Sequence, residues 1–154
     1  MIVARLLLVA PLLALGIGGA SAQPRGVEGL WVTPGYGSVV RVTREGDALE
    51  AVVVWLWRDA IDGRRTLDEN NPAESRRERP LLGLSLFRNV DRDGDGWRGR
   101  IYNPEDGRRY RATLTQRSAN LLRLRGCWGP FCRTQWWRRL GSFSLPTPAE
   151  LGGR

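Results

Sequence analysis

The chain has 154 residues, and its 24 basic and 16 acidic side chains give a formal net charge of +8 at pH 7. It has no histidine, which excludes the usual serine triad and most catalytic zinc sites. The basic residues are all arginine and are scattered along the sequence, which does not favour a nucleic-acid partner. We therefore predict no nucleic-acid partner, no metal site and no cofactor.

Residues 1–22 have the layout of a secretory signal peptide. Arg5 supplies the positive start, residues 6–17 form an apolar stretch, and three small residues end the segment at Ala22. The competing interpretation is a membrane anchor, but a proline and three glycines interrupt the stretch. We predict cleavage after Ala22, a mature chain that starts at Gln23 and has no integral membrane span, and a periplasmic or secreted location.

The rest of the chain has the pattern of short strands separated by turn residues. Strands are predicted at residues 28–33, 38–44, 48–57, 81–90, 96–103, 109–116, 120–128 and 131–140. Such a series favours an all-β fold, either an antiparallel up-and-down β-barrel of about eight strands or a sandwich, and closure would remove exposed edges. We predict one β-barrel domain over residues 23–140, followed by a flexible tail at residues 141–154.

The segment at residues 58–80 is the one long interruption between predicted strands. Within it, Asn71 is followed by Pro72 and then by Glu74, a combination typical of a helix start. Pro80 ends the segment. We therefore predict one short helix in this loop.

The stretch DRDGDG at residues 91–96 resembles the beginning of a calcium-binding EF-hand loop, with aspartates at alternate positions and a glycine. A complete loop would need a bidentate glutamate where Tyr102 stands, and the flanking residues have strand patterns, not helical ones. Asp and Gly are also the usual residues of tight hairpin turns. We predict a hairpin turn here and no calcium site.

The chain has two cysteines, Cys127 and Cys132. Their C-x4-C spacing is typical neither of a redox C-x-x-C motif nor of a zinc ribbon. Because cysteine pairs outside the cytoplasm are usually oxidised, we predict a disulfide that closes a short loop.

The seven tryptophans are more informative than the acids. Trp55 and Trp57 are two residues apart in a predicted strand, so they would share a face and either line a cavity, cap its mouth or fill the core. An eight-stranded barrel has an interior that holds either side chains or one small ligand.

Several motifs together resemble those of the exported bacterial DUF2147 family, over about residues 28–140. They are GLW at 29–31, LDENNP at 67–72, RPLLG at 79–83, GW at 96–97, IYNPEDG at 101–107, Tyr110, RGC at 125–127 and CRTQWWRR at 132–139. The resemblance implies a lipocalin-like β-barrel in the cell envelope, and it implies no particular activity.

The lipocalin likeness also implies how the barrel closes. In lipocalins a G-x-W motif on the first strand packs under an arginine from near the last strand. Gly29 and Trp31 match the motif, and Arg139, after Trp137, is the matching arginine. We predict that these four residues close the barrel and do not bind a ligand.

Two functions remain open, and neither the motifs nor the composition indicate an oligomeric state. The first is a binding module for a small apolar or amphipathic ligand; its candidate walls are Trp55, Trp57 and Tyr110, and its candidate polar contacts are Asn71, Arg79 and Tyr102. The second is a solid barrel that binds an envelope protein or a glycan through exposed Trp and Arg. A carboxylate-based hydrolase is the least favoured alternative, because it needs two acids facing each other across a cleft.

Overall fold

The structure is a computed structural model, and it describes residues 26–142. The predicted signal peptide and its cleavage site lie outside the described residues, as does the predicted tail from residue 143 onward. Within the described part of the chain no helix has the length and hydropathy needed to cross a membrane.

Eight antiparallel strands form a closed barrel in which each strand pairs with its neighbour in the sequence and the last pairs with the first. The strands are β1 Gly29–Val32, β2 Ser38–Glu45, β3 Ala48–Leu56, β4 Ser85–Asp93, β5 Gly96–Asn103, β6 Arg108–Ser118, β7 Leu121–Trp128 and β8 Phe131–Arg139. Helix α1 covers Trp57–Asp62, and single 3-10 turns lie at Pro34–Tyr36 and Glu74–Arg76. The predicted up-and-down barrel is confirmed, and the sandwich alternative is wrong.

The long connection between β3 and β4 differs in detail from its prediction. Trp57 begins α1 instead of ending β3, and Gly63, with a φ of 62°, ends the helix in the left-handed conformation. At the predicted helix start the side-chain oxygen of Asn71 does accept a hydrogen bond from the Ala73 amide, at 2.9 Å. Only one 3-10 turn follows, at Glu74–Arg76.

The DRDGDG stretch forms the predicted hairpin turn. Asp93 pairs with Gly96 across β4 and β5, and Gly94 has the positive φ, 59°, that a tight turn requires. The carboxylate of Asp93 forms an ion pair with Arg98 at 2.7 Å. The turn is therefore explained by strand pairing.

The core occupies the barrel interior, because side chains at alternate positions of each strand point inward. The largest fully buried side chains are those of Trp31, Trp137, Phe87, Leu49, Leu114 and Leu122. Every strand of the barrel contributes at least one buried residue to this core.

One end of the barrel, which we call the sealed end, is closed where β8 finishes beside β1. Arg139 lies with its guanidinium carbon 4.3 Å from the centre of the Trp31 ring, and it donates to three backbone oxygens. These are the carbonyls of Ala119, Glu28 and Gly26, at 2.6, 2.7 and 2.6 Å. Three acceptors and an aromatic face thus compensate the buried guanidinium, whose pKa is lowered by that burial.

Gly29 is where the sealed end needs a glycine. Its φ is 131°, and a Cβ placed on it would lie 2.4 Å from Nη1 of Arg139. The G-x-W motif therefore combines a position without a side chain with the tryptophan that supports the arginine.

Candidate functional site

We call the opposite end of the barrel the open end. The exposure of the inward-facing side chains changes between the two ends, and a single strand, β8, shows the change. The inward-facing side chain of Trp137 is 1% exposed, whereas that of Phe131, six residues earlier on the same face, is 74% exposed. Strand β1 has four residues and pairs with β8 only at Arg138 and Arg139, so the first part of β8 extends beyond it. The interior is filled at the sealed end, and it faces solvent near β8 at the open end.

Inward-facing aromatic and basic side chains meet at this open end. We call them the open rim: Arg108, Tyr110, Trp128, Phe131 and Arg133. The guanidinium carbon of Arg108 lies 5.0 Å from the centre of the Trp128 ring, which is 54% exposed. Gly126, on the inward face of β7, lies beside Tyr110: a Cβ on it would be 3.4 Å from Cβ of that tyrosine.

Tyr110 is tied to the β5–β6 turn. Its hydroxyl donates a hydrogen bond to the Asp106 carboxylate, and this bond is the main reason that the pKa of Tyr110 is raised. The positive charges of Arg108 and Arg133 act in the opposite direction on the same pKa. The open rim thus presents cations beside aromatic faces.

The two predicted wall tryptophans lie at the same end, where β3 leaves the barrel. The ring centres of Trp55 and Trp57 are 6.0 Å apart, and both side chains are half-buried. They come from different elements, the end of β3 and the start of α1, so they do not share a strand face as the sequence predicts. Of the three predicted wall residues, Tyr110 belongs to the open rim, whereas Trp55 and Trp57 form a separate pair.

The three predicted polar contacts come together, but around a residue that the sequence analysis does not select. Asp68 has a fully buried side chain whose Oδ1 accepts from the Tyr102 hydroxyl at 2.6 Å. Its Oδ2 accepts from Nδ2 of Asn71 at 2.7 Å and from Nε of Arg79 at 2.8 Å. We call this group the loop clasp: Asp68, Asn71, Arg79 and Tyr102.

The loop clasp holds the long β3–β4 connection against β5. Burial is the main cause that raises the pKa of Tyr102, and the hydrogen bond to Asp68 adds to it. The Arg79 guanidinium forms an ion pair with Asp68 and also lies 5.7 Å from the Tyr102 ring centre. Every carboxylate oxygen of the clasp has a donor, so the buried charge is compensated inside the protein.

A second contact reinforces the clasp. Nδ2 of Asn70 donates to the carbonyls of Pro104 and Glu105, at 3.3 and 3.0 Å. A Cβ on Gly107 would fall 1.8 Å from the Asn70 carbonyl oxygen, so only glycine permits this approach. The LDENNP and IYNPEDG segments therefore bind each other at two points, through Asn70 and through the Asp68–Tyr102 hydrogen bond.

Two clefts on the described surface lie away from the predicted walls. One of about 270 Å³ is at the sealed end and is lined by Gly29, Asn120 and Arg139 among others. A second, of about 450 Å³, lies beside the 3-10 turn and is lined by Glu74, Ser75, Arg77 and Glu78. Both clefts are open to solvent, and neither includes Trp55, Trp57 or Tyr110.

Comparisons with known proteins agree with this architecture. A family model described as "Uncharacterized protein conserved in bacteria (DUF2147)" matches residues 29–139. No curated protein matches the sequence. Among solved structures, protein HP1028 from the human pathogen Helicobacter pylori, described as belonging to the lipocalin family, superposes with a TM-score of 0.63 at 22% identity, covering 75% of this chain and 83% of that one. At this identity the likeness shows the fold alone.

Proposed function

Since the chain belongs to the DUF2147 family and folds as a lipocalin-like β-barrel, we propose that it is a binding module whose partner docks at the open rim. The observation that carries the proposal is the change along β8, from the buried Trp137 to the exposed Phe131. Covering Phe131 and Trp128 would remove apolar surface from water, which contributes about 1.5–3 kcal/mol for each large apolar side chain fully buried.

The chemistry of the open rim favours an amphipathic partner that carries an acidic group. Arg108 and Arg133 supply positive charge, while Trp128 and Phe131 supply apolar surface directly beside it. Because Arg108 stacks on Trp128, a single ligand group would meet both a cation and an aromatic face. The pair formed by Trp55 and Trp57 lies at the same end of the barrel but apart from the rim, on β3 and α1.

Binding at the rim is better supported than a ligand enclosed in the barrel. The interior next to the sealed end is filled by side chains such as Trp31, Phe87 and Leu114. The polar groups of Asn71, Arg79 and Tyr102 are engaged with Asp68, so we assign them to positioning the loop and not to ligand contact. A ligand would enter only as deep as the rim residues allow.

We also propose a location: the protein acts outside the cytoplasm. The Cys127–Cys132 disulfide supports this, because such bonds persist in oxidising compartments. It closes the hairpin tip that carries Trp128 and Phe131. Fractionation of expressing cells, followed by N-terminal sequencing, tests the proposal; we expect an envelope protein that starts at Gln23, and an uncleaved cytoplasmic protein would contradict it.

Rim binding can be tested with anilinonaphthalene sulfonate, an aromatic anion whose fluorescence rises on binding. The double variant Phe131→Ser, Arg133→Gln should bind the probe at least about tenfold more weakly, since it removes one apolar and one charged contact. The matched control is Leu82→Ser, Arg44→Gln, which removes an exposed apolar residue and an exposed arginine outside the rim.

The test separates rim binding from non-specific binding. Equal affinity of the rim variant and the original protein would contradict the proposal, as would an equal loss in the control. Native mass spectrometry of the protein purified from an envelope would then identify a physiological ligand by its mass.

A further inference from the structure

The charges of the barrel are divided between its two halves. The strands β5 to β8 contain two, four, two and three arginines, and none of them contains an acidic residue. The strands β2, β3 and β4 each carry at least one acid: Glu45, Glu50, and Asp91 with Asp93. The strands of one half of the barrel therefore hold eleven arginines and no acid, whereas the four arginines of β2 and β4 share their strands with acids.

Strand alternation and register place most of these arginines on the outer surface. Ile101, Ala112 and Leu124 are buried on the inward faces of β5, β6 and β7, so the residues between them point outward. Arg100 lies opposite Arg111, and Thr113 lies between Arg98 and Arg125. We call the exposed outward set the arginine wall: Arg98, Arg100, Arg109, Arg111 and Arg125.

Acidic partners for the wall are scarce. The ion pairs among residues 26–142 are Arg79–Asp68, Arg88–Glu50 and Arg98–Asp93, so within the described chain only Arg98 of the wall is paired with a carboxylate. Arg100 and Arg111 stand directly opposite each other, and like charges in that position destabilise a sheet. An arrangement that costs stability and leaves cations exposed indicates an anionic surface as its partner.

We propose that the arginine wall docks on an anionic lipid surface. This inference goes beyond the proposed function, because the wall lies on the outside of the barrel and the open rim on its inward faces. The guanidinium group is planar and donates in pairs, which suits the phosphates of lipid headgroups. The wall spans the outer sides of three neighbouring strands, which suits a broad surface better than a narrow strand of nucleic acid.

Exposed aromatic residues favour the lipid surface over a nucleic acid. Trp136 is 47% exposed on the outer face of β8 and lies opposite Arg123, beside the wall. Tryptophan is enriched at the level of lipid headgroups, where its ring is apolar and its N–H is polar. Proteins that bind single-stranded nucleic acid place exposed aromatic rings among the basic residues, whereas Tyr102, the ring that Arg109 approaches to 5.6 Å, is buried.

The experiment is flotation with vesicles, using the chain that begins at Gln23 so that the apolar first segment does not contribute. One set of vesicles contains equal parts of phosphatidylglycerol and phosphatidylcholine, and the other contains phosphatidylcholine alone. We expect the protein to bind the anionic vesicles and not the neutral ones, with binding that weakens as salt is raised. The variant Arg100→Gln, Arg111→Gln, Arg125→Gln should partition about a hundredfold less onto the anionic vesicles, since each basic residue contributes about fivefold.

The matched control is Arg41→Gln, Arg44→Gln, Arg65→Gln, which removes the same charge from exposed positions outside the wall. If this control loses as much binding as the wall variant, net charge alone is responsible and the inference is overturned. The inference is also overturned if the protein does not bind anionic vesicles. Binding of duplex DNA at physiological salt, without binding of the vesicles, would indicate a nucleic-acid partner instead. Binding of anilinonaphthalene sulfonate by the wall variant reports on the open rim separately, so the failure of either proposal leaves the other one measurable.

Discussion

The two ends of the barrel are built from the same strands and use arginine and tryptophan in opposite ways. At the sealed end Arg139 lies over the buried Trp31, and its donors are taken by three carbonyls of the chain itself. At the open end Arg108 lies over Trp128, but both side chains are exposed. The same pairing therefore stabilises the fold where it is buried, and it remains available to a partner where it is exposed.

The comparison also separates stability from binding. Residues of the sealed end bury large apolar areas, so their loss should affect folding. Residues of the open rim bury little, so their loss should affect binding and leave folding almost unchanged.

The largest expected effect is on stability at the sealed end. Trp31→Ala should lower the free energy of unfolding by about 3–5 kcal/mol, because it leaves a large cavity and removes the support of Arg139. Urea denaturation of this variant and of Phe131→Ala measures the contrast. Phe131→Ala should change stability by less than about 0.5 kcal/mol; equal losses would show that the two ends do not differ as described.

The loop clasp gives the next largest effect. Asp68→Asn should destabilise the protein by about 3 kcal/mol, since it removes the charge that compensates Arg79 and disturbs the hydrogen bond from Tyr102. Hydrogen exchange should become faster across residues 64–83 before it does so in the strands. Uniform acceleration through the whole barrel would argue against a separable loop.

The disulfide gives a smaller effect at the open end. Because Cys127 and Cys132 are five positions apart, the double variant Cys127→Ser, Cys132→Ser should cost about 2 kcal/mol by loop entropy. The increase in backbone motion should be confined to the tip of the β7–β8 hairpin, which NMR relaxation can measure. Greater motion at the sealed end would contradict this assignment.

The smallest effect is a dependence of stability on alkaline pH. The pKa of Tyr102 is raised above its ordinary value of 10.0, mainly by burial, so the native protein keeps a proton that the unfolded chain loses. The stabilisation is therefore fully present below pH 10 and decreases as the pH rises beyond it. Unfolding curves from pH 9 upward should show this decline, and Tyr102→Phe should reduce it; an unchanged slope in the variant would be the contrary result.

The sequence was sufficient to predict the barrel because strand alternation is a local property. Tyr110, Ala112 and Leu114 share a face in the pattern RYRATLTQ, and the structure places all three on the inward face of β6. The end of β3 was harder to predict, because Trp57 suits a strand as well as a helix and only the surrounding chain decides between them.

The parts of the site that the sequence did not reveal depend on contacts between distant segments. Asp68 meets Tyr102 across 34 positions, and no local pattern marks that encounter. The arginine wall likewise needs the register of three strands before Arg98, Arg100, Arg111 and Arg125 become neighbours. Composition reports how many charges a chain has, whereas register decides which of them lie together.

The closure of β8 against β1 has a consequence for how the order of the strands in the chain can be changed by circular permutation. Because Trp31 pairs with Arg139, the two ends of the barrel sequence meet at the sealed end, far along the strands from Phe131. A short linker joining them, with a new start opened at the β2–β3 turn near Gly46, would give a circular permutant with the same strand neighbours. Such a molecule would carry its new termini at the sealed end as well, and a label attached there would leave the opposite mouth unobstructed.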